Sequence, residues 1–173
     1  MDFFEVLEKR YSHKERFLPT PIPRELLEKI AHAGLSAPSG ANGQSVNLVL
    51  LPERDSVQAL CDVAHHPGLE TAPAAIALFT DAGTQKGEFN FEVEDYAAAC
   101  EHILLAATAL GYSSLWLDYL YLSNEGNRKA AEALLGAAEG FHLRVVIPLG
   151  LPDGVGSRRE KKAFGERMRW FGG

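Results

Sequence analysis

The chain has 173 residues, 46% of them hydrophobic and 23% charged, with a formal net charge of −6, which suits one globular domain over residues 1–173 with a substantial core. An acidic balance excludes non-specific nucleic-acid binding, which needs a basic surface. No apolar run approaches the roughly 20 residues that span a bilayer, so no membrane partner is expected.

Asp2 caps a short amphipathic helix with Phe3, Phe4 and Leu7 on one face. The chain starts at once with this acid-bearing helix, so no signal peptide is expected and the chain reads as cytoplasmic. The helix runs into the polar cluster Lys9-Arg10-Tyr11-Ser12-His13-Lys14. Pro19, Pro21 and Pro23 break the chain, and Pro23 suits the first turn of a second helix. There Leu26, Leu27, Ile30 and Ala31 form an apolar stripe that ends near Leu35.

The next segment is Ala37-Pro38-Ser39-Gly40-Ala41-Asn42-Gly43-Gln44. Its small residues keep the backbone near the surface and its amides can reach heterocycle edges, so it can lie flat against a planar ligand. Val46 to Leu51 reads as a strand. Asp55 to Ala64 reads as a helix with Val57, Leu60 and Cys61 inward, and Ala74 to Thr80, introduced by Pro73, as a second strand. Asp81 to Asn90 reads as a loop. Asp95 then caps a long helix, Tyr96 to Leu110, closed by Gly111. This helix is apolar nearly all round, which predicts a central buried helix or an oligomer contact. A short strand over Leu115 to Leu117 and a helix over Asn124 to Leu135, stopped by Gly136, come next. Leu143 to Leu149 is a strong strand closed by Gly150-Leu151-Pro152, and a basic tail carrying Trp170 and Phe171 ends the sequence. Helices alternate with strands, which predicts one α/β or α+β domain, and the pattern alone leans to a parallel sheet.

The familiar chemical signatures are missing. The six histidines form no metal-binding spacing, and there is no GxSxG, no GxGxxG and no phosphate-binding P-loop. Cys61 and Cys100 lie far apart in helix-like apolar contexts and read as buried thiols of a reducing compartment. His65 and His66 read as surface residues. What remains is charge. Basic residues cluster from Lys9 to Arg16 and from Arg158 to Arg169, and a basic patch on an acidic protein suits a small anion. In an extended segment Arg10, Ser12 and Lys14 point to one side. A guanidinium, a hydroxyl and an ammonium there make a receptor for phosphate or a polarised carbonyl. On these residues alone, a solvated basic turn is the alternative.

The stretches Arg10 to Lys14 and Ala37 to Gln44 resemble the nitroreductase family of FMN-dependent oxidoreductases. Its usual patterns are Arg-x-Ser-x-Arg/Lys and Ala-Pro-Ser-x-x-Asn-x-Gln-Pro. Asp95 to Gly111 is similar to the family's central helix, Ser113-Ser114-Leu115-Trp116 to the segment after it, and Val145 to Pro152 to its strand ending in Leu-Gly-x-Pro. The basic tail closing on Arg169-Trp170 also fits, so the resemblance covers nearly the whole chain. It implies an α+β fold with a mixed, largely antiparallel sheet flanked by helices, and FMN at a homodimer interface. That replaces the parallel lean.

The resemblance also implies roles. Arg10 and Ser12 would hold the phosphate and ribityl end of FMN, with Tyr11 acting through its backbone. Lys14 would stand near the flavin N1 and O2 edge, where a cation eases hydride acceptance. Pro38, Ser39 and Gly40 would come from the second subunit, with Asn42 and Gln44 supporting the loop or reaching the ring. Leu117 and Asp118 would pass the N5 region. Arg158 and Arg159 would complete the phosphate clamp, Lys161 being a competing choice. The implied activity is ping-pong hydride transfer from NADH or NADPH through flavin N5 to an electron-poor acceptor, a nitroaromatic, a quinone or similar. No side chain then need act as acid or base. The alternatives are a flavin-binding carrier or sensor with little turnover, and a flavin-free interaction domain.

Four departures stand out. Ser45 replaces the family proline, which leaves the loop exit less rigid. His102 stands where the family often has asparagine. An extra residue, Glu15 or Arg16, separates Lys14 from Phe17. The short chain leaves little room for a lid. Trp116 reads as a core residue sooner than a flavin neighbour. Asp118 reads equally as a helix cap. Tyr119 and Tyr121 read equally as pocket-lining or interface residues.

Overall fold

Seven consecutive buried residues, Ala74 to Thr80, dictate the architecture, because a strand with no polar face has to be covered on both sides. They belong to β2 (Ala74–Asp81) in a computed structural model that describes residues 1–84, 89–118, 125–156 and 158–172. β1 (Val46–Leu51) pairs with β2 from Val46·Thr80 to Leu51·Ala75, and β5 (Phe141–Gly150) pairs with it from Asp81·Phe141 to Ala74·Leu149. Two short strands, β3 (Ser113–Ser114) and β4 (Leu117–Asp118), follow one another along the other edge of β5. They replace the single strand expected over Leu115 to Leu117.

All these pairings are antiparallel, and a parallel bridge joins Ser12 to Ser114. The parallel sheet suggested by alternation does not form; the mixed, largely antiparallel sheet does. Alternation is blind to direction. After α3 (Arg54–Ala64), residues 65–73 carry the chain back to the end of the sheet where β1 finished, and β2 starts opposite Leu51.

Helices cover both faces. Val57, Leu60, Cys61 and Ala64 of α3 and Ala131 of α5 (Glu125–Leu134) pack on Ala75, Ala77 and Phe79. On the other side Leu27 and Ile30 of α2 (Arg24–Leu35) join Ala99, Cys100, Ile103 and Ala107 of α4 (Glu92–Ala109) against Ile76 and Leu78. α4 buries Ala99, Cys100, Ile103, Leu104 and Ala107 on its inner face, while Ala97, Ala98, Leu105 and Ala106 are only half-buried, so the helix is not covered all round within one chain. Both thiols are buried as expected. α1 (Phe3–Lys9) carries the expected cap, with Asp2 accepting from Phe4 and Glu5 N–H and Glu5 answering to Asp2 N–H. Its Phe3 and Phe4 are exposed and Val6 is the buried residue. Pro23 sits one position earlier than expected, as the N-cap of α2. The expected helix start at Asn124 lies outside the described residues. Among the described residues no helix is long and apolar enough to cross a membrane.

One irregularity tunes this sandwich. Leu78 faces Val145 while Phe79 faces Leu143, so Arg144 is an extra residue, a β-bulge. The bulge shifts the phase of β5: Leu143 packs towards α3 and α5, Val145, Ile147 and Leu149 towards α2 and α4. It also turns Arg144 to α4, where its guanidinium donates to Thr80 Oγ1 at 2.8 Å and reaches Glu92 Oε2 at 3.3 Å. α4 thus begins at Glu92, three residues before Asp95, and Asp95 is not its cap; Asn90 Oδ1 accepts from Glu92 N–H instead. Burial pushes the Glu92 carboxyl up, but hydrogen bonds from Thr80 and Asn90 and the Arg144 charge outweigh it and hold it below the usual value.

A carboxyl lowered on folding contributes stability above its unfolded value, and that contribution is lost as pH falls through the folded one. Urea unfolding at a series of pH values is therefore expected to show wild type more stable than Glu92→Gln near neutrality. The gap should close in the acid range below the ordinary carboxylate value. A pH-independent gap would show that Glu92 titrates as it does in the unfolded chain.

Candidate functional site

The N-terminal basic cluster meets the end of the sheet. α1 stops at Arg10, whose backbone is extended (φ −62°, ψ 125°), and the chain then runs beside β3, His13 N–H donating to Ser114 O at 2.9 Å. Further on, Leu18 N–H donates to Leu151 O and Asp153 N–H to Arg16 O. These bonds lace the first turn of chain to the residues that leave β5. From beyond β5, Arg158 donates to the carbonyl of Leu7, a residue 151 positions away, at 3.3 Å. The result is a cavity of about 270 Å³ lined by Arg10, Tyr11, Ser12, Lys14, Arg158 and Arg159, with Glu15 and Lys161. Five cations face one carboxylate there. Arg10 is steadied from behind by Glu101 of α4, Nε to Oε1 3.8 Å.

Tyr11 forms one wall, and its ring is fixed from two sides. A Cβ on Gly156 would lie 2.3 Å from that ring, so only glycine lets the chain pass so close. Its hydroxyl meets His13 Nδ1 at 3.2 Å and Ser113 Oγ at 3.4 Å, while His13 Nε2 lies 2.9 Å from Arg16 O. The carbonyl of Arg16 can only accept, so in the neutral ring Nε2 carries the proton and Nδ1 is the acceptor for Tyr11. His13 is fully buried and packs on Phe17, ring centroids 4.7 Å apart. Sequence reading gave His13 no role; its burial is set by residues distant in the chain.

The small-residue loop lines a second cavity, about 450 Å³, through Ala37, Pro38, Ser39 and Gln44, together with Asn47 and Asp95. The loop is held from α4. The Asp95 carboxylate accepts from Gly40 N–H at 2.7 Å and from Ser45 Oγ at 2.6 Å. Ser45 is 2% exposed and its carbonyl also accepts from Asp81 N–H. The loop exit, expected to be slack for want of proline, is pinned by the very side chain that replaces it. Within the loop Gln44 N–H donates to Ser39 Oγ at 3.0 Å. Ala41, Asn42 and Gln44 have φ of 48°, 55° and 52°, left-handed values that each cost on the order of 1 kcal/mol outside glycine. A Cβ on Gly40 would strike the Phe91 ring at 2.1 Å, which explains that glycine.

The expected residues therefore fall into two groups within one chain. Arg10, Tyr11, Ser12, Lys14, Arg158 and Arg159 form the first, and Pro38, Ser39 and Gln44, with Gly40 adjoining, form the second. Asn42 is exposed in the same loop. Leu117 and Asp118 line neither cavity: Leu117 is buried towards α3 and α5, and Asp118 on the next position lies near Cys100 of α4. Trp116 packs with the α2 and α4 core, edge-on to Tyr96. Tyr119 and Tyr121 lie outside the described residues. His65 is exposed, whereas His66 is half-buried, accepts from Gly68 N–H, and is pushed down from its usual value by burial. Burial, with neighbouring carboxylates, pushes both thiols up, so neither is a ready nucleophile.

The profile of the Nitroreductase family matches residues 7–65 and 58–151. An Archaeoglobus fulgidus protein named as an NADH dehydrogenase/NAD(P)H nitroreductase is 34% identical over 132 residues, 76% of this chain and 75% of that protein. Among solved structures, one named as an NADH oxidase from Clostridium acetobutylicum superposes with a TM-score of 0.80 at 26% identity, covering 95% of this chain and 97% of that one. A nitroreductase from Desulfovibrio desulfuricans, solved in complex with FMN, gives 0.79 at 23% identity, covering 99% and 98%.

Tyr11→Phe removes one oxygen and leaves the buried Nδ1 of His13 without a donor. It should lower the unfolding free energy by about 1–3 kcal/mol, read by denaturant titration. A variant as stable as wild type would show that this hydrogen bond does not hold the wall.

Proposed function

The chain belongs to the nitroreductase family, and from that premise we propose that it is an FMN-dependent oxidoreductase moving hydride from NADH or NADPH to an electron-poor small molecule such as a nitroaromatic or quinone. The observation that carries the proposal is the basic cavity, because its lining draws together two cation clusters from opposite ends of the sequence.

The donor set fits the cofactor. FMN ends in a phosphate dianion on a polyhydroxylated chain. Guanidinium groups, ammonium groups and the Ser12 hydroxyl match that end. Arg10 and Arg158 would hold the phosphate, each already oriented, by Glu101 and by the Leu7 carbonyl. Arg159 and Lys161 add charge from the tail, and Lys14 would supply a cation to the ring edge that becomes anionic on reduction. Bound FMN supplies the hydride chemistry itself. The chain's own part is to bind, orient and shield.

Shielding would come from the loop of a second copy, Pro38, Ser39, Gly40, Asn42 and Gln44. Two features support a site shared between copies. The loop and the basic cavity are separate within one chain. Large apolar side chains near both ends, Phe3, Phe4, Trp170 and Phe171, are exposed.

Titrating the apoprotein with FMN is expected to quench flavin fluorescence, and Arg10→Ala should weaken binding by about 1–3 kcal/mol, the worth of a charge-assisted phosphate contact. Equal affinity in variant and wild type would remove Arg10 from the site. Steady-state oxidation of NADH or NADPH with a quinone or nitroaromatic acceptor tests turnover. A bound flavin that neither nicotinamide reduces would leave a carrier or sensor instead. Dilution to monomer should release flavin, and monomers that keep it would refute the shared site.

A further inference from the structure

Asp95 is 3% exposed, yet hydride transfer gives it nothing to do and α4 does not use it as a cap. Its two partners, Gly40 N–H and Ser45 Oγ, bracket the loop at its entry and its exit. Between them lie the three left-handed residues Ala41, Asn42 and Gln44. Ala37 N–H at the loop's start bonds back to Gly34 O of α2, and from Pro38 onward the other hydrogen bonds described, Asn42 N–H to Ser39 O, Gly43 N–H to Gly40 O and Gln44 N–H to Ser39 Oγ, stay within the loop. They shape the turn but cannot place it. Placement comes from α4 through Asp95, and from the sheet through the carbonyl of Ser45 on Asp81 N–H.

We propose that Asp95 and Ser45 act together as positioning residues that hold the Pro38 to Gln44 loop in its flavin-receiving shape and thereby set flavin affinity. The inference rests on the reading of this loop as flavin-facing. Two charge-assisted bonds to a carboxylate that is 3% exposed are strong and directional. Strained backbone persists only where its surroundings over-determine it. A loop held in shape before the cofactor arrives loses less freedom on binding, and that difference appears as affinity. In this chain the hydroxyl of Ser45 thus replaces the covalent stiffness of a proline with a bond that one mutation can delete.

Ser45→Ala removes a single hydroxyl and leaves the backbone and nearly all the volume in place. FMN titration of the apo forms of wild type, Ser45→Ala, Ser45→Thr and Asp95→Asn, each with its melting temperature, tests the proposal. Ser45→Ala should bind FMN about tenfold more weakly, and Asp95→Asn at least as weakly. Ser45→Thr, which keeps the hydroxyl, should stay near wild type, and the apo melting temperature of Ser45→Ala should fall by several degrees with the fold intact, because a buried carboxylate oxygen loses its donor. Faster amide exchange at Gly40 in Ser45→Ala should accompany the loss. Should Asp95→Asn fail to fold, the two Ser45 variants decide alone. Unchanged FMN affinity in Ser45→Ala overturns the proposal, and so does an equal loss in Ser45→Thr. A wild-type chain that takes up no FMN sinks the functional reading and this inference with it. Binding by wild type with equal binding by Ser45→Ala sinks this inference alone.

Discussion

Both faces of the β2 and β5 pair have to be buried, and most of the molecule follows from that. Ile76, Ala77, Leu78, Val145, Val146 and Ile147 have no exposed surface, and at about 25 cal/mol per Å² of apolar area the pair cannot be left open on either side. α3 and α5 close one face, α2 and α4 the other. The Arg144 bulge makes the second closure compatible with the first, since without it Leu143 and Val145 would point the same way. Once both faces are covered, polar groups that must reach a ligand are left with the sheet's ends and the loops beyond them.

That is where the basic cavity lies. The chain enters beside β3 and leaves past Gly150, and the hydrogen bonds of His13, Leu18 and Asp153 tie entry to exit. Two cation clusters at opposite ends of the sequence are brought together against their mutual repulsion. The backbone ladder supplies the framework, and Glu101, the Leu7 carbonyl and Glu15 temper the repulsion locally.

Local rules read well wherever the interaction was local. Asp2 and Glu5 stand three residues apart and their capping box forms as its spacing predicts. The stripe of α2 and the buried run of β2 are periodic signals, and both elements appear. Arg10, Ser12 and Lys14 converge on one cavity as their alternation suggests. What stayed hidden depends on long-range partners. Strand direction was invisible to alternation. Asp95 looked like a cap because its true acceptor role involves residues 55 and 50 positions away. Ser45 looked like a loss of rigidity because a missing proline is legible in a sequence, whereas a hydroxyl's partner is not.

α4 shows the same lesson from the side of packing. Its composition is that of an apolar rod, and its Ala99, Cys100, Ile103 and Ala107 behave as one. Four of its polar residues each leave that core to hold a different piece. Glu92 takes Arg144 of the bulge, Asp95 the small-residue loop, Glu101 the guanidinium of Arg10, and His102 the carbonyl of Ala33 in the last turn of α2. Glu92 and Asp95 are three residues apart and so lie on neighbouring strips of one helix face, which makes the bulge and the loop two attachments of the same turn. A helix whose inner face is close-packed against a sheet is a stiff part of such a domain. Hanging the sheet's irregularity, the loop and the Arg10 guanidinium on it ties their relative positions together. The apolar residues seat α4 against the sheet, and that seat gives these four polar anchors their precision.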